Sequence, residues 1–148
     1  MNQNADAQSL CADSSAIEYR ITKDLPVPEV RQLYVEAGWI QPDSDTGFIQ
    51  PMLENSFAVS AAFCHGRLIG LMRALSDGVS DAYLLDLVVD ESFRRRGIAM
   101  EILKRLKKHL LEKGIDWIVC IGAPGTEAFY AKSSGEVMAQ YTPMRFKQ

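Results

Sequence analysis

Histidine and cysteine are scarce in this sequence of 148 residues, and their scarcity excludes several kinds of site. The three cysteines, Cys11, Cys64 and Cys120, are widely spaced and odd in number, which fits neither a disulfide framework nor a zinc pattern. Cys64 and Cys120 fall in apolar runs, where we expect small buried side chains. The two histidines, His65 and His109, are expected to be structural or solvated, so the sequence predicts no bound metal.

Long apolar runs, a signal peptide and an excess of positive charge are also missing. No segment is long and apolar enough to span a membrane, and residues 1–15 have neither the basic nor the apolar region of a signal peptide. We therefore expect a mobile N-terminal tail over residues 1–15 and a cytoplasmic protein that does not interact with membranes. The formal net charge of −3 argues against a general nucleic-acid binder.

The sequence does have the composition of a globular domain, with 47% hydrophobic and 24% charged residues. Because it contains no linker and no internal repeat, residues 16–148 are expected to fold as one domain. The periodicity of apolar residues predicts strands and helices in alternation. The predicted strands cover residues 17–21, 57–63, 68–75, 82–89, 117–121 and one or two segments of 137–146; the predicted helices begin near 26–28 and cover 48–54, 98–113 and 126–134. The strand–helix–strand order over residues 82–121 implies parallel pairing with a right-handed crossover.

The most informative segment is Arg94-Arg95-Arg96-Gly97-Ile98-Ala99, between the strand at 82–89 and the helix at 98–113. The first N–H groups of a helix have no partner within the helix, and the helix dipole places partial positive charge there. Gly97 permits close approach of a ligand, and arginine side chains suit phosphate. The segment therefore predicts a phosphate or pyrophosphate site, the alternative being a basic surface turn that caps a helix.

The spacing in this segment matches neither the Rossmann fingerprint nor the P-loop. Arg94-x-x-Gly97-x-Ala99 after Leu87-Val88-Val89 resembles the acyl-CoA pyrophosphate loop of the GNAT superfamily of N-acetyltransferases. Ala128-Phe129-Tyr130-Ala131-Lys132 resembles the Phe-Tyr-x-Lys element of the same family. The family usually continues with Gly-Phe, whereas Ser133-Ser134-Gly135-Glu136 delays the glycine by one residue and lacks the phenylalanine. The resemblance extends over about residues 17–146.

The resemblance implies an α/β (α+β) fold, with a GNAT-like mixed, mostly antiparallel central sheet and helices on both faces. It also implies acetyl-CoA as co-substrate, a small-molecule primary amine as acceptor, and a possible homodimer formed through the C-terminal strands. The backbone of the strand before the loop would pair with the pantetheine arm through Leu87, Val88 and Val89. The pyrophosphate would contact Arg94, Arg95, Arg96, Gly97, Ile98, Ala99 and Met100.

Tyr130 is the leading catalytic candidate, because the matching tyrosine of the family commonly protonates the departing CoA thiolate. The alternative is a half-buried aromatic residue at a helix–sheet junction. Asp86 is the second candidate, because a carboxylate that shares a strand face with Leu84 and Val88 requires a partner. Asp86 would relay a proton or orient a cationic acceptor, the alternative being a structural hydrogen bond.

Trp39 precedes an irregular segment that in this fold tends to form one wall of the acceptor site, and an aromatic wall suits an amine. The alternative for Trp39 is a packing role. Cys120 has no histidine nearby in sequence, which disfavours an acyl-cysteine route. Two other functions remain open: a non-catalytic acyl-CoA-binding or sensory domain on the same fold, and an unrelated phosphate-binding α/β protein that would bind nucleotides.

Overall fold

The computed structural model describes residues 14–148, so most of the N-terminal segment predicted to be a tail lies outside the described residues. Five strands form one sheet in the order β1-β2-β3-β4-β5. The elements in chain order are β1 (Ile17–Ile21), α1 (Val27–Glu36), α2 (Ile49–Asn55), β2 (Ala58–Cys64), β3 (Arg67–Ser76), β4 (Asp81–Val89), α3 (Ile98–Glu112), β5 (Trp117–Cys120) and α4 (Glu127–Ala131).

The sheet is mostly antiparallel, as predicted. Strands β1 to β4 pair antiparallel with their neighbours, whereas β4 and β5 pair parallel across helix α3. The parallel pairing runs from Asp81 opposite Trp117 to Leu84 opposite Cys120 and ends there. The two strands are therefore joined only over the first half of β4.

Helices cover both faces of the sheet, again as predicted. Helices α1 and α2 pack on one face, where the buried side chains include Val30, Leu33, Ile49, Leu53, Val59 and Leu71. Helix α3 packs on the other face, where they include Ile69, Met72, Ala74, Ile102, Leu106 and Leu110. The α3 residues recur at helical spacing, so one side of the helix is apolar and faces the sheet.

Strand β4 contains a β-bulge at Asp86. Between the pairs Arg73–Leu85 and Leu71–Val88, one residue of β3 faces two residues of β4. Asp86 has a φ of 58°, in the left-handed region that aspartate tolerates better than most residues. A bulge of this kind inserts one residue and bends the strand.

Because of this bulge, the prediction that Asp86 shares a strand face with both Leu84 and Val88 is wrong. Because an inserted residue reverses the alternation of side chains, Leu84 packs on the α3 side of the sheet and Val88 on the α1 side. Asp86 therefore cannot share one face with both residues. The strands also approach closely here, since a Cβ at Gly70 would lie 2.9 Å from the Val88 carbonyl oxygen.

The predicted closing strands are wrong, because residues 132–148 contain neither helix nor strand. The large apolar side chains of this segment are exposed, from 37% for Met138 to 89% for Phe146. One aromatic contact joins it to β5, where the rings of Tyr141 and Trp117 lie 6.5 Å apart. Pro143 has no N–H to donate to a strand partner, which weakens any ladder across it.

Cys64 is buried, as predicted, but the prediction that the cysteines form no disulfide is wrong for this residue. Cys64 is buried at the end of β2 and is disulfide-bonded, whereas Cys120 at the end of β5 is a half-buried free thiol. Spacing along a chain does not show which cysteines approach one another in space. Within residues 14–148, no helix combines the length and apolar character needed to cross a membrane.

Candidate active site

The arginine segment is anchored by buried residues immediately before it. The buried Asp90 carboxylate accepts hydrogen bonds from the Ser92 backbone N–H at 2.9 Å and the Ser92 hydroxyl at 2.7 Å, and it pairs with Arg67. Phe93 is 1% exposed and fixes the short helical turn Glu91–Phe93 in the core. The exposed residues that follow therefore leave the sheet from a rigid base.

The backbone of the segment opens towards solvent where helix α3 begins. Arg95 and Gly97 both have positive φ angles, of 62° and 76°. Gly97 is the N-cap, and its carbonyl accepts the first helical hydrogen bond from the Glu101 N–H at 3.1 Å. A Cβ at Gly97 would contact nothing within 4 Å, so the helix start faces open space. The unpaired N–H groups of the first turn are thus accessible to an anion.

A cleft of about 570 Å³ lies at this helix start. Seven of the ten residues predicted to hold CoA line it: Val89, Arg94, Arg95, Gly97, Ile98, Ala99 and Met100. Lys104 and Lys132 also line the cleft, so four cationic side chains surround it. Lys104 is not among the site residues predicted from the sequence. Helical spacing identifies Lys104 as a candidate, because it lies two helical turns after Gly97 and so projects from the same side of α3.

Three predicted residues, Leu87, Val88 and Arg96, do not line the cleft. Val88 is buried between the sheet and α1, and Leu87 packs against the cluster beneath α3. The Arg96 guanidinium lies 5.3 Å from the centre of the Phe93 ring in a cation–π contact; Phe93 lines the cleft, but Arg96 does not. The side chains of Arg94 and Arg95 therefore line the cleft and that of Arg96 does not. Their adjacency in sequence does not reveal this difference.

The backbone of β4 borders the same region. Beyond Leu84, the edge of β4 that faces β5 has no strand partner among residues 14–148. The Arg94 Nε donates to the Val89 carbonyl at 3.1 Å and ties the loop to the end of this strand. An extended ligand could pair with such an edge as an added strand would.

Tyr130 lies next to the cleft on helix α4. Its ring packs edge-to-face on Phe129, with centroids 5.1 Å apart, and Phe129 lines the cleft. A Cβ at Gly122 would come within 3.4 Å of the Tyr130 ring. Burial, followed by the neighbouring Cys120, raises the pKa of the Tyr130 phenol above its ordinary value. The phenol is therefore protonated at neutral pH and can act as a proton donor.

Gly135, the glycine that comes one residue later than in the family pattern, lies against the backbone of Tyr130. The Tyr130 carbonyl accepts hydrogen bonds from the backbone N–H groups of Ser133 and Gly135, both at 2.9 Å. A Cβ at Gly135 would lie 2.8 Å from that carbonyl oxygen, so this position requires glycine. Ser134 takes the left-handed conformation between them, with a φ of 62°.

Replacing Ser134 with glycine should raise the free energy of unfolding by about 1 kcal/mol, because glycine adopts a positive φ without a Cβ penalty. Urea denaturation measures the change. Ser134→Ala is the matched control, since alanine removes the hydroxyl and keeps the Cβ, and it should not stabilise the protein. Equal stability of the glycine and alanine variants would show that the φ of Ser134 carries no strain.

The Asp86 carboxylate is paired within the protein. Its Oδ2 accepts from the Arg73 Nε at 2.5 Å and from the Tyr34 hydroxyl at 2.8 Å. The Arg73 guanidinium also reaches the Ser56 hydroxyl at 3.3 Å. Burial and the charge of Asp86 raise the pKa of the Tyr34 phenol, which keeps it protonated as the donor. The geometry matches the structural alternative for Asp86, while its role in proton relay stays a prediction.

Trp39 packs on Tyr34, the residue whose hydroxyl donates to Asp86. Its ring is 47% exposed and meets the Tyr34 ring edge-to-face, with centroids 5.1 Å apart. The tryptophan therefore lies at the surface on the α1 side of the sheet. Among the described residues, no group of three or more His, Cys, Asp or Glu side chains lies close enough together to hold a metal ion.

Comparison with known proteins identifies the family. A model described as the acetyltransferase (GNAT) family matches residues 24–135. The chain belongs to the GNAT family of acetyltransferases. The resemblance predicted from the sequence is thus confirmed.

Two curated plant proteins are among the relatives of this GNAT domain. It is 30% identical over 113 residues to "GCN5-related N-acetyltransferase 1, chloroplastic" of Arabidopsis thaliana, a match that covers 75% of this chain and 56% of that protein. It is 29% identical over 115 residues to "Serotonin N-acetyltransferase 2, chloroplastic" of Oryza sativa subsp. japonica, with the same coverage of 75% and 56%. The chain therefore spans little more than half the length of these two relatives.

Solved structures share the GNAT fold. A putative acetyltransferase from Deinococcus radiodurans R1 superimposes with a TM-score of 0.76 and 19% identity, covering 92% of this chain and 91% of that one. An aminoglycoside acetyltransferase from an uncultured soil metagenomic sample, solved with sisomicin, gives a TM-score of 0.69 and 19% identity, covering 91% and 97%. At this identity the likeness establishes the fold alone.

Proposed function

We propose that this protein is an N-acetyltransferase that moves an acetyl group from acetyl-CoA to a primary amine of a small molecule by direct attack. The observation that carries the proposal is the cleft at the start of α3, where four cationic side chains meet the open helix N-terminus. The cleft adjoins the unpaired edge of β4 and the protonated phenol of Tyr130. Membership in the GNAT family supports the same activity.

The residues at the cleft fit the chemistry of CoA. Arg94, Arg95, Lys104 and Lys132 supply positive charge for the phosphates, and the first N–H groups of α3 supply directed donors. The open space beside Gly97 leaves room for a phosphate against the backbone. The unpaired edge of β4 offers hydrogen-bonding groups to the amide-containing pantetheine arm.

The proposed mechanism assigns one task to each group. Backbone N–H groups near Val89 polarise the thioester carbonyl, and the deprotonated amine attacks the carbonyl carbon. Tyr130 gives its phenolic proton to the sulfur that leaves, which avoids release of a free thiolate. Trp39 forms an apolar wall for the acceptor on the α1 side of the sheet. Asp86 orients the acceptor or relays its proton while Arg73 and Tyr34 hold the carboxylate.

The proposed acceptor is a small amine rather than a particular compound. An aminoglycoside acetyltransferase and a serotonin N-acetyltransferase are named among the similar proteins, and both names specify amine-bearing small molecules. These names support an amine nitrogen as the nucleophile. They do not distinguish a polycationic acceptor from an aromatic one.

The first test is a thermal-stability titration of the purified protein with acetyl-CoA and, separately, with ATP. A ligand that binds only the folded state raises the melting temperature by mass action. Stabilisation by acetyl-CoA and not by ATP supports the proposal, whereas stabilisation by ATP alone, or by neither, contradicts it. A panel of amines scored by release of free thiol then tests for turnover.

The same panel separates the enzyme from a non-catalytic acyl-CoA sensor. A sensor binds the thioester and releases no thiol with any amine. The displaced glycine is the sequence feature that favours a sensor. In the structure the inserted residue is accommodated by the left-handed Ser134, and Gly135 still packs on Tyr130. That feature therefore no longer argues against catalysis.

A further inference from the structure

Lys107 connects helix α3 to the end of helix α4. Its Nζ donates to the Ser133 carbonyl oxygen at 2.5 Å and lies 3.2 Å from the Ser133 hydroxyl oxygen. Ser133 is 8% exposed, so water has little access to the contact. A charged donor in such surroundings forms a stronger hydrogen bond than a neutral one.

Ser133 is hydrogen-bonded through its backbone to Tyr130, the catalytic candidate. The Ser133 N–H donates to the Tyr130 carbonyl at 2.9 Å, and the Gly135 N–H donates to the same oxygen. Helix α4 has five residues, Glu127–Ala131, which is too few for a helix to be stable without external contacts. The orientation of Tyr130 therefore depends on what holds the two ends of α4.

Helix α3 carries the contact and the phosphate site together. It begins at the cleft, contributes Lys104 to the cleft wall, and presents Lys107 one turn later. The apolar side of α3 is fully buried against the sheet, so the helix is held rigidly. Lys104 and Lys107 on this helix therefore keep fixed positions relative to each other. Helix α3 therefore sets the distance from the cleft at its start to the end of α4, which Lys107 contacts.

We propose that Lys107 is a positioning residue for acetyl transfer: it holds the end of α4 so that the Tyr130 phenol stays in line with the thioester of a CoA whose phosphates bind at the start of α3 and whose pantetheine arm lies along the edge of β4. The inference rests on the proposed function, since Tyr130 matters in this way only if transfer occurs. Lys107 itself lies outside the residues that line the cleft. Its loss should therefore affect turnover and leave binding intact.

Lys107→Met keeps the aliphatic length of the side chain and removes the donor. We expect kcat to fall by about tenfold, the scale set by a small misplacement of a catalytic group, while KM for acetyl-CoA changes by less than about twofold. Lys108→Met is the matched control, because Lys108 is an exposed lysine of the same helix whose partner is Glu112 at 3.7 Å. The control should behave as the unmodified enzyme.

A double-mutant cycle with Tyr130→Phe separates positioning from general loss of structure. If Lys107 acts through the Tyr130 phenol, Lys107→Met should lower kcat in the tyrosine enzyme and have no further effect once the phenol is gone. The same fold-loss in both backgrounds would overturn the inference. A rise in KM for acetyl-CoA with unchanged kcat would also overturn it, because Lys107 would then be a binding residue.

The outcomes also separate this inference from the proposed function. Absence of thiol release by the unmodified protein with every amine overturns both. Turnover that Lys107→Met leaves unchanged overturns the positioning role alone. If the methionine variant shows no cooperative thermal unfolding and so is not folded, Lys107→Gln replaces it in the cycle. Glutamine retains an N–H donor without charge, and the same dependence on Tyr130 is expected at a smaller fold-loss.

Discussion

Replacing Tyr130 with phenylalanine should lower kcat by about a hundredfold or more, the usual contribution of a positioned general acid. The dissociation constant for acetyl-CoA should change little, because the phenylalanine ring keeps the packing against Phe129 and Gly122. Thiol release under saturating acetyl-CoA gives kcat, and calorimetric titration gives the dissociation constant. Loss of turnover with retained binding is the signature of a group that acts in the transition state.

Tyr141→Phe is the control for this experiment, since Tyr141 is 65% exposed and lies in the C-terminal segment. It should leave kcat unchanged. The raised pKa of Tyr130 adds a second readout: the unmodified enzyme should lose activity at alkaline pH as the phenol ionises, and the phenylalanine variant should lack that decline. An unaffected kcat in the Tyr130→Phe variant would remove the general-acid role.

Replacing Gly97 with valine should abolish measurable binding of acetyl-CoA. The φ of 76° is strained for a β-branched residue, and the new side chain would project into the open space at the start of α3. An anion could then no longer approach the first N–H groups of the helix. We expect no thermal stabilisation by acetyl-CoA at concentrations that saturate the unmodified protein.

Gly114→Val is a matched control for the backbone strain. Gly114 ends the same helix, has a φ of 81°, and a Cβ there would likewise meet nothing within 4 Å. Both valine variants should lose stability by a similar amount, and only the variant at Gly97 should lose affinity. If both retain affinity, the cleft is not the CoA site. If both lose it equally, the effect at Gly97 reflects destabilisation rather than a blocked site.

The features that the sequence predicts correctly are those encoded locally. The apolar spacing from Ile98 to Leu110 defines both the existence of α3 and the side that faces the sheet. The residues around Gly97 also come together at the helix start, where seven of the ten predicted CoA residues line one cleft, while their binding of CoA stays a prediction. Each of these inferences uses residues within one or two helical turns of one another, where spacing determines direction.

The features that the sequence does not predict depend on contacts between distant elements. Asp86 pairs with Arg73 on the neighbouring strand, and a single inserted residue decides which face it occupies. Arg96 stacks on Phe93 and does not line the cleft, unlike Arg94 and Arg95. The closing strands predicted within residues 137–146 are absent, since residues 132–148 form no strand, because an apolar segment does not by itself supply a partner edge.

The order of strands in the sheet has a consequence for folding. Strands β2, β3 and β4 follow one another through short turns, whereas β1 and β5 reach their partners only after intervening helices. Pairing between segments close in sequence loses less chain entropy, so the central three strands should form early and the two edges later. The junction of β4 with β5, where Cys120 neighbours Tyr130, would then be assembled among the last parts of the molecule. Mutations that slow the docking of β5 should accordingly delay the recovery of acetyl-CoA binding during refolding more than the recovery of the central sheet.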